Sequence, residues 1–170
     1  MEPFIIDTKT IVLLFTTLLT GLLAGIFFTW SNAITPGIGR LDDINYLRAF
    51  QNMNRTIVNP LFLVIIMGPV FLSFATAYLY KSNHPYIFWL LLIAAILYFV
   101  GVFLVTIMGN IPLNNLLDKT DLTNISLENA RSLRDQFELK WNNLHLVRTI
   151  TSALSFFLLI IVCLFRNSNF

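Results

Sequence analysis

Four apolar stretches, each long enough to cross a bilayer, occupy most of this 170-residue chain, at about 10–30, 58–79, 86–108 and 144–165. Hydrocarbon about 30 Å thick needs roughly 20 helical residues at about 1.5 Å each. Residues 87–108 carry no charge, and neither do 61–80 or 149–165. Helices of a water-soluble bundle show a polar stripe, and these stretches lack one. The expected fold class is therefore an all-α membrane protein, a four-transmembrane-helix bundle forming a single domain over 1–170.

Composition narrows the function. Hydrophobic residues make up 56% of the chain and charged residues 12%, about half the charged share of a soluble domain. A net charge of +2 gives no argument for nucleic acid as a partner. The single cysteine, Cys163, lies inside the last span, so an intrachain disulfide and a cysteine-based metal site are excluded. The first span resembles a signal peptide in position only. Its flank carries Glu2, Asp7 and Lys9 instead of a basic cluster, its apolar run is too long, and no small-residue cleavage site follows, so a retained anchor is expected.

An even number of spans puts both termini and the short 81–85 connection on one side. The long connections, 31–57 and 109–143, share the other. In the first, Ile44, Leu47, Phe50, Met53 and Ile57 recur at helical spacing behind Asp42 and Asp43, which predicts an amphipathic helix over 42–57. Asn59-Pro60 should interrupt it at the membrane. In the second, Ser126 is a predicted N-cap, and no Gly or Pro follows before Phe165. A continuous helix of about 39 residues, nearly 60 Å long, should project beyond the bilayer. Amphipathic helical extensions on the long-loop side complete the expected architecture.

The chain also repeats itself loosely. Gly25, Asn32 and Pro36 are echoed by Gly101, Asn110 and Pro112, and Arg55-Thr-Ile by Arg148-Thr-Ile. Two such halves would be parallel repeats about an axis along the membrane normal. Lys9, Lys81 and Arg166 lie on the terminal side. Arg40, Arg48, Arg55, Lys119, Arg131, Arg134, Lys140 and Arg148 lie on the other, which the positive-inside rule assigns to the cytoplasm.

Two polar stripes need a reason. Arg48, Asn52, Arg55 and Asn59 share one helix face, as do Glu138, Trp141, His145, Arg148 and Ser152. Asn32 ends the first span, and Asn110 and Asn114 follow the third. These groups are expected to converge at one mouth of the bundle, with Arg55 and Arg148 facing a shared cavity. Singly, each has an ordinary explanation: arginines snorkel to head groups, asparagines cap helices, and Trp141 anchors at the interface. An ionisable residue inside a bundle, however, usually has a partner or a task. His84 lies in the short loop on the opposite side and reads as a solvated residue. One histidine with Glu138 is too few ligands, so no metal is expected.

Asn54-Arg55 with Asn59-Pro60-x-Phe62 at the second span, Asn110-x-Pro112-x-Asn114 after the third, and Trp141-x-x-x-His145-x-x-Arg148 at the fourth resemble, in order and spacing, the anthrone-oxygenase-like family of small membrane proteins. The resemblance covers nearly the whole chain. It implies a multi-pass protein of a bacterial inner or cytoplasmic membrane and matching polar positions at Asn54, Arg55, Asn110, Asn114, Trp141, His145 and Arg148. Some fungal relatives oxidise an anthrone to its anthraquinone with dioxygen, using neither metal nor flavin.

The expected function is thus a cofactor-independent oxygenase or related redox enzyme acting on a lipophilic aromatic, anthrone- or quinol-like substrate. His145, with an ordinary pKa of about 6.5, would take the proton. Arg55 and Arg148 would stabilise the anion, and Asn32, Asn54, Asn59, Asn110, Asn114 and Trp141 would line the substrate site. The alternative is a non-catalytic bundle whose loop-side polar cluster binds anionic lipid or a partner. A transporter is disfavoured, because no ionisable residue stands at the centre of a span and no pair of Gly/Pro-broken helices lies mid-membrane. A homo-oligomer is left open.

Overall fold

A helix crossing lipid must satisfy its own backbone, so the apolar stretches become continuous helices. The computed structural model describes residues 7–82 and 85–165; Glu2, His84 and Arg166 lie outside them. Five helices form: α1 (Thr8–Ile38), α2 (Asp43–Ile57), α3 (Pro60–Tyr80), α4 (Pro85–Asp118) and α5 (Leu127–Phe165). No strand occurs among the described residues. Four of the helices, all but α2, are long and apolar enough to span a membrane, and the chain is an integral membrane protein.

The spanning helices form a ring in which α1 packs on α3 and α5, and α4 packs on the same two. Near the terminal side, Leu13, Ala77, Leu91 and Leu159 fill the centre. A second layer of Leu23, Phe27, Ile66, Val70, Tyr98 and Val102 follows. Lipid offers no hydrophobic drive for helix association, so close approach and interhelical hydrogen bonds matter. Thr16 and Thr76 hydroxyls pair at 2.9 Å, Ser155 donates to Ala94 O at 2.9 Å, and Tyr98 donates to Ile66 O at 2.8 Å. A Cβ at Gly101 would collide with the Thr151 side chain, so glycine there sets how closely α4 approaches α5.

Two helices run further than the sequence suggests. α1 continues to Ile38 and α4 to Asp118, instead of ending near 30 and 108. Each passes a proline, Pro36 or Pro112, shortly after a π-helical turn, Trp30–Ile34 or Thr106–Asn110. In these turns the Thr35 amide donates to Trp30 O and the Ile111 amide to Thr106 O. The wider turn absorbs the missing donor and the bulk of the ring, so the helix is not broken. Both turns fall at matching places in the two halves. The halves differ at the next boundary, where α2 and α3 are separate but α5 is one helix. Gly68-Pro69 does lie mid-span in α3, and the helix runs through it, with Ser73 Oγ donating to Pro69 O at 2.6 Å.

On the long-loop side, Asp42 caps α2 by accepting from the Asn45 amide at 3.0 Å. Val58 breaks the helix, and Asn59 caps α3 by accepting from the Phe62 amide at 3.0 Å. Ser126 caps α5, accepting from the Asn129 amide at 3.2 Å. α2 lies across the bundle end with Tyr46, Leu47 and Phe50 packed on Leu117, Phe137 and Trp141. Arg134 of α5 holds its start, donating to Gly39 O and Leu41 O at 2.8 Å and pairing with Asp43 at 3.0 Å and Glu138 at 2.6 Å.

Candidate active site

Where α2 covers the bundle end, the four spans enclose a largely apolar cavity of about 320 Å³. That volume suits a small ligand. α1 contributes Phe27 and Trp30, α2 Phe50 and Asn54, α4 Thr106 and Asn114, and α5 Trp141, His145 and Arg148. The α5 residues share a face because they recur every three or four positions. That face points inward: His145 is 2% exposed, Arg148 6%, and Trp141 and Ser152 are also buried.

The polar centre of the cavity is a pair. Arg148 Nη2 lies 2.8 Å from His145 Nδ1, and His145 Nε2 lies 3.1 Å from Phe27 O. Arginine can only donate, so Nδ1 accepts, and Nε2 carries the hydrogen that goes to the carbonyl. His145 is therefore neutral in this arrangement, with its one lone pair held by Arg148. Arg148 Nη1 also donates to Thr106 Oγ1 at 3.3 Å. Its Nε is buried and without a partner. Among the described residues no carboxylate pairs with Arg148. Its guanidinium instead sits 4.7 Å from the Phe27 ring and 5.3 Å from that of Trp141, where π faces offset part of the lost hydration.

Aromatic packing fixes these groups. Trp141 stacks on His145 at 4.7 Å, with Phe27 edge-on to the imidazole at 5.3 Å. Trp30 leans against Trp141 at 5.6 Å, and Phe50 meets it edge-on at 4.7 Å. The indole of Trp141 donates to Asn114 Oδ1 at 2.8 Å. Asn110 is fully buried beside the cavity, its amide donating to Trp141 O at 3.4 Å and its Oδ1 unpaired.

The expected residues divide accordingly. Asn54, Asn114, Trp141, His145 and Arg148 line the cavity, with Asn110 packed against the Trp141 backbone. Arg55, Asn32 and Asn59 do not line it. Arg55 has a side chain 55% exposed and binds Asp118 at 2.5 Å on the outer face of α2. The expected pair of guanidinium groups in one cavity is not formed. α2 buries its apolar face, so its Arg48–Asn52–Arg55 stripe faces solvent. Asn32 is exposed on the π-helical turn, and Asn59 serves as the α3 cap. Glu138 is taken by Arg134.

Phe27, Trp30, Phe50 and Thr106 were missed. The aromatic residues look like ordinary core or interface residues in a Phe-rich chain. Thr106 carried a usable signal, as the one threonine within 87–108 and close to Asn110. Among the described residues no group of three or more His, Cys, Asp or Glu is placed to hold a metal ion.

The arrangement can hold a flat apolar molecule against indole and phenyl faces, with one polar edge presented to a guanidinium and an imidazole. Residues 61–158 match the family described as anthrone oxygenase. No curated protein and no solved structure matches the chain.

Proposed function

This chain belongs to the anthrone oxygenase family, and from that premise we propose that it oxygenates a lipophilic aromatic, anthrone- or quinol-like substrate inside the cavity, using the substrate's own electrons and no cofactor. The observation that carries this reading is Arg148, a buried guanidinium without a carboxylate, with a bare Nε in an aromatic-walled site. A buried cation is costly unless a counter-charge arrives, and an enolate or phenolate formed from the substrate supplies one.

The proposed sequence starts with the substrate oxygen drawing Arg148 from His145. That movement frees Nδ1, the nitrogen able to take a proton. For an anthrone-like substrate, His145 then removes a proton from the methylene carbon, and Arg148 holds the oxyanion of the resulting enolate. The carbon forms a bond to dioxygen, and the peroxide takes the proton back. Loss of the second methylene hydrogen with cleavage of the O–O bond releases water and leaves a carbonyl. Carbon is oxidised and dioxygen reduced, so no outside reductant is needed. Stacking on Trp141 and Trp30 would orient the rings, and Asn54 and Asn114 would meet peripheral hydroxyls. The same proposal places the protein in a bacterial cytoplasmic membrane.

The test is dioxygen uptake and quinone absorbance with anthrone and alkylated quinols in lipid nanodiscs. Wild type should turn over at least one of them, and Arg148→Met should abolish this. Unchanged turnover in Arg148→Met or His145→Ala overturns the mechanism. Anionic phospholipid retained equally by wild type and Arg148→Lys, with no turnover of any compound, would favour the lipid-binding reading.

A further inference from the structure

We infer that the cavity opens sideways to the bilayer between α3 and α4, so that its ligand enters from the hydrocarbon and not from water. The inference rests on the cavity being the ligand site proposed above, but not on the chemistry within it.

The opening follows from how the helices part. α3 packs along the Pro85–Tyr98 portion of α4, and its contacts thin out at Phe99–Leu104. Beyond that point α4 stays with α5, while the first turns of α3 start from the Val58–Asn59 break. Between them the cavity wall is made of side chains that also reach the outer surface. Val58 is 62% exposed, and Leu63, Ile107 and Ile111 are exposed as well, although all four line the cavity. A residue that faces both a cavity and the surface marks a rim.

The water side is covered by α2. Phe50, Asn54 and Ile57 of α2 lie over the cavity, and Phe50 is buried against Phe137 and Trp141. Arg134 ties the start of α2 to α5 by three contacts, to Gly39 O, Leu41 O and Asp43. Every rim residue is aliphatic, so a solute passing through loses no hydrogen bond to water. The rim therefore selects for molecules already dissolved among acyl chains, and a charged or highly hydroxylated compound is excluded before it meets Arg148.

The test uses a Trp30→Phe/Trp89→Phe variant, in which Trp141 is the remaining indole, reconstituted into phosphatidylcholine brominated along its acyl chains. Bromine quenches an indole on contact. Trp141 is buried from the outer surface, so quenching requires an acyl chain at the rim or within it. Quenching should exceed that by aqueous acrylamide, and rim-filling changes Leu63→Phe with Ile107→Phe should reduce it at least about twofold. These positions face lipid, so the fold tolerates the larger rings. Emission insensitive to bromination, quenching by acrylamide instead, or quenching unchanged by the rim variants would overturn the side opening. None of these outcomes depends on turnover, so a failed oxygenase assay and a failed portal are separate results.

Discussion

Arg148 and His145 stand three residues apart on α5, and the arginine Nη2 occupies the histidine Nδ1 at 2.8 Å. The contact leaves the imidazole neutral and without a free lone pair. Each residue thereby restrains the other until a ligand oxygen competes for the guanidinium. General acid–base groups contribute about 10²–10⁴-fold to a rate. His145→Ala should therefore lower kcat by roughly 10²-fold or more, with the fold retained, as read by oxygen uptake in nanodiscs. His145→Gln, which keeps an acceptor for Arg148 but no base, should lose kcat to the same degree while KM stays close to wild type.

Arg55 supplies the control. Its ion pair with Asp118 is largely solvent-exposed, and such pairs contribute about 0–1 kcal/mol. Arg55→Met should leave turnover within about twofold of wild type. A loss as deep as that of Arg148→Met would return Arg55 to the reaction.

The Trp141–Asn114 hydrogen bond joins α5 to the α4 extension at the cavity wall. Trp141→Phe keeps the stacking on His145 and removes the N–H. A net hydrogen bond is about 1 kcal/mol, so Trp141→Phe and Asn114→Ala should show coupling of that order in a double-mutant cycle by denaturation in detergent.

Arg134 fastens the start of α2. It donates to two backbone carbonyls and binds two carboxylates, Asp43 and Glu138. Arg134→Ala leaves those groups unpaired, at a cost of about 2–4 kcal/mol. Thermal unfolding should shift down, and proteolysis near 39–43 should become faster.

Asp42 gives the pH dependence of the same region. The Asn45 backbone amide, then its side-chain amide, hold the Asp42 carboxyl below the ordinary 3.8. A lowered folded-state pKa means stability that is present above the unfolded value and lost as pH falls through the folded one. Asp42→Asn keeps a cap that does not titrate. Stability measured from pH 5 downward should fall less steeply in that variant than in wild type.

Much of this was legible in the chain. Ser126 followed by an unbroken run to Phe165 set the start and length of α5, and three- and four-residue spacing put Trp141, His145 and Arg148 on one face. Arg55 shows what spacing leaves open. A repeat identifies a shared face but not the direction it points. The clue was in α2 itself, since Leu47 and Phe50 had to be buried and the arginines opposite them had to face outward. The extension of α1 and α4 past Pro36 and Pro112 was hidden for a different reason. Proline reads as a stop, and nothing local says that a wider turn will accommodate it. Phe27 acts partly through its backbone carbonyl, which no side-chain pattern reveals.

The widened turn at Thr106–Asn110 works as a register device. It lodges one surplus residue in α4 without breaking the rod, and everything downstream keeps the phase of an unbroken helix. Deleting a single residue there would let ordinary winding resume with the phase kept, but inserting one more, a glycine after Gly109 for instance, finds that slack already used and would swing the following stretch by about 100° around its axis. Asn114 would be carried off Trp141, and Leu117 would leave its seat under α2. A gain of one glycine, chemically almost silent, would thus mis-time the whole lid.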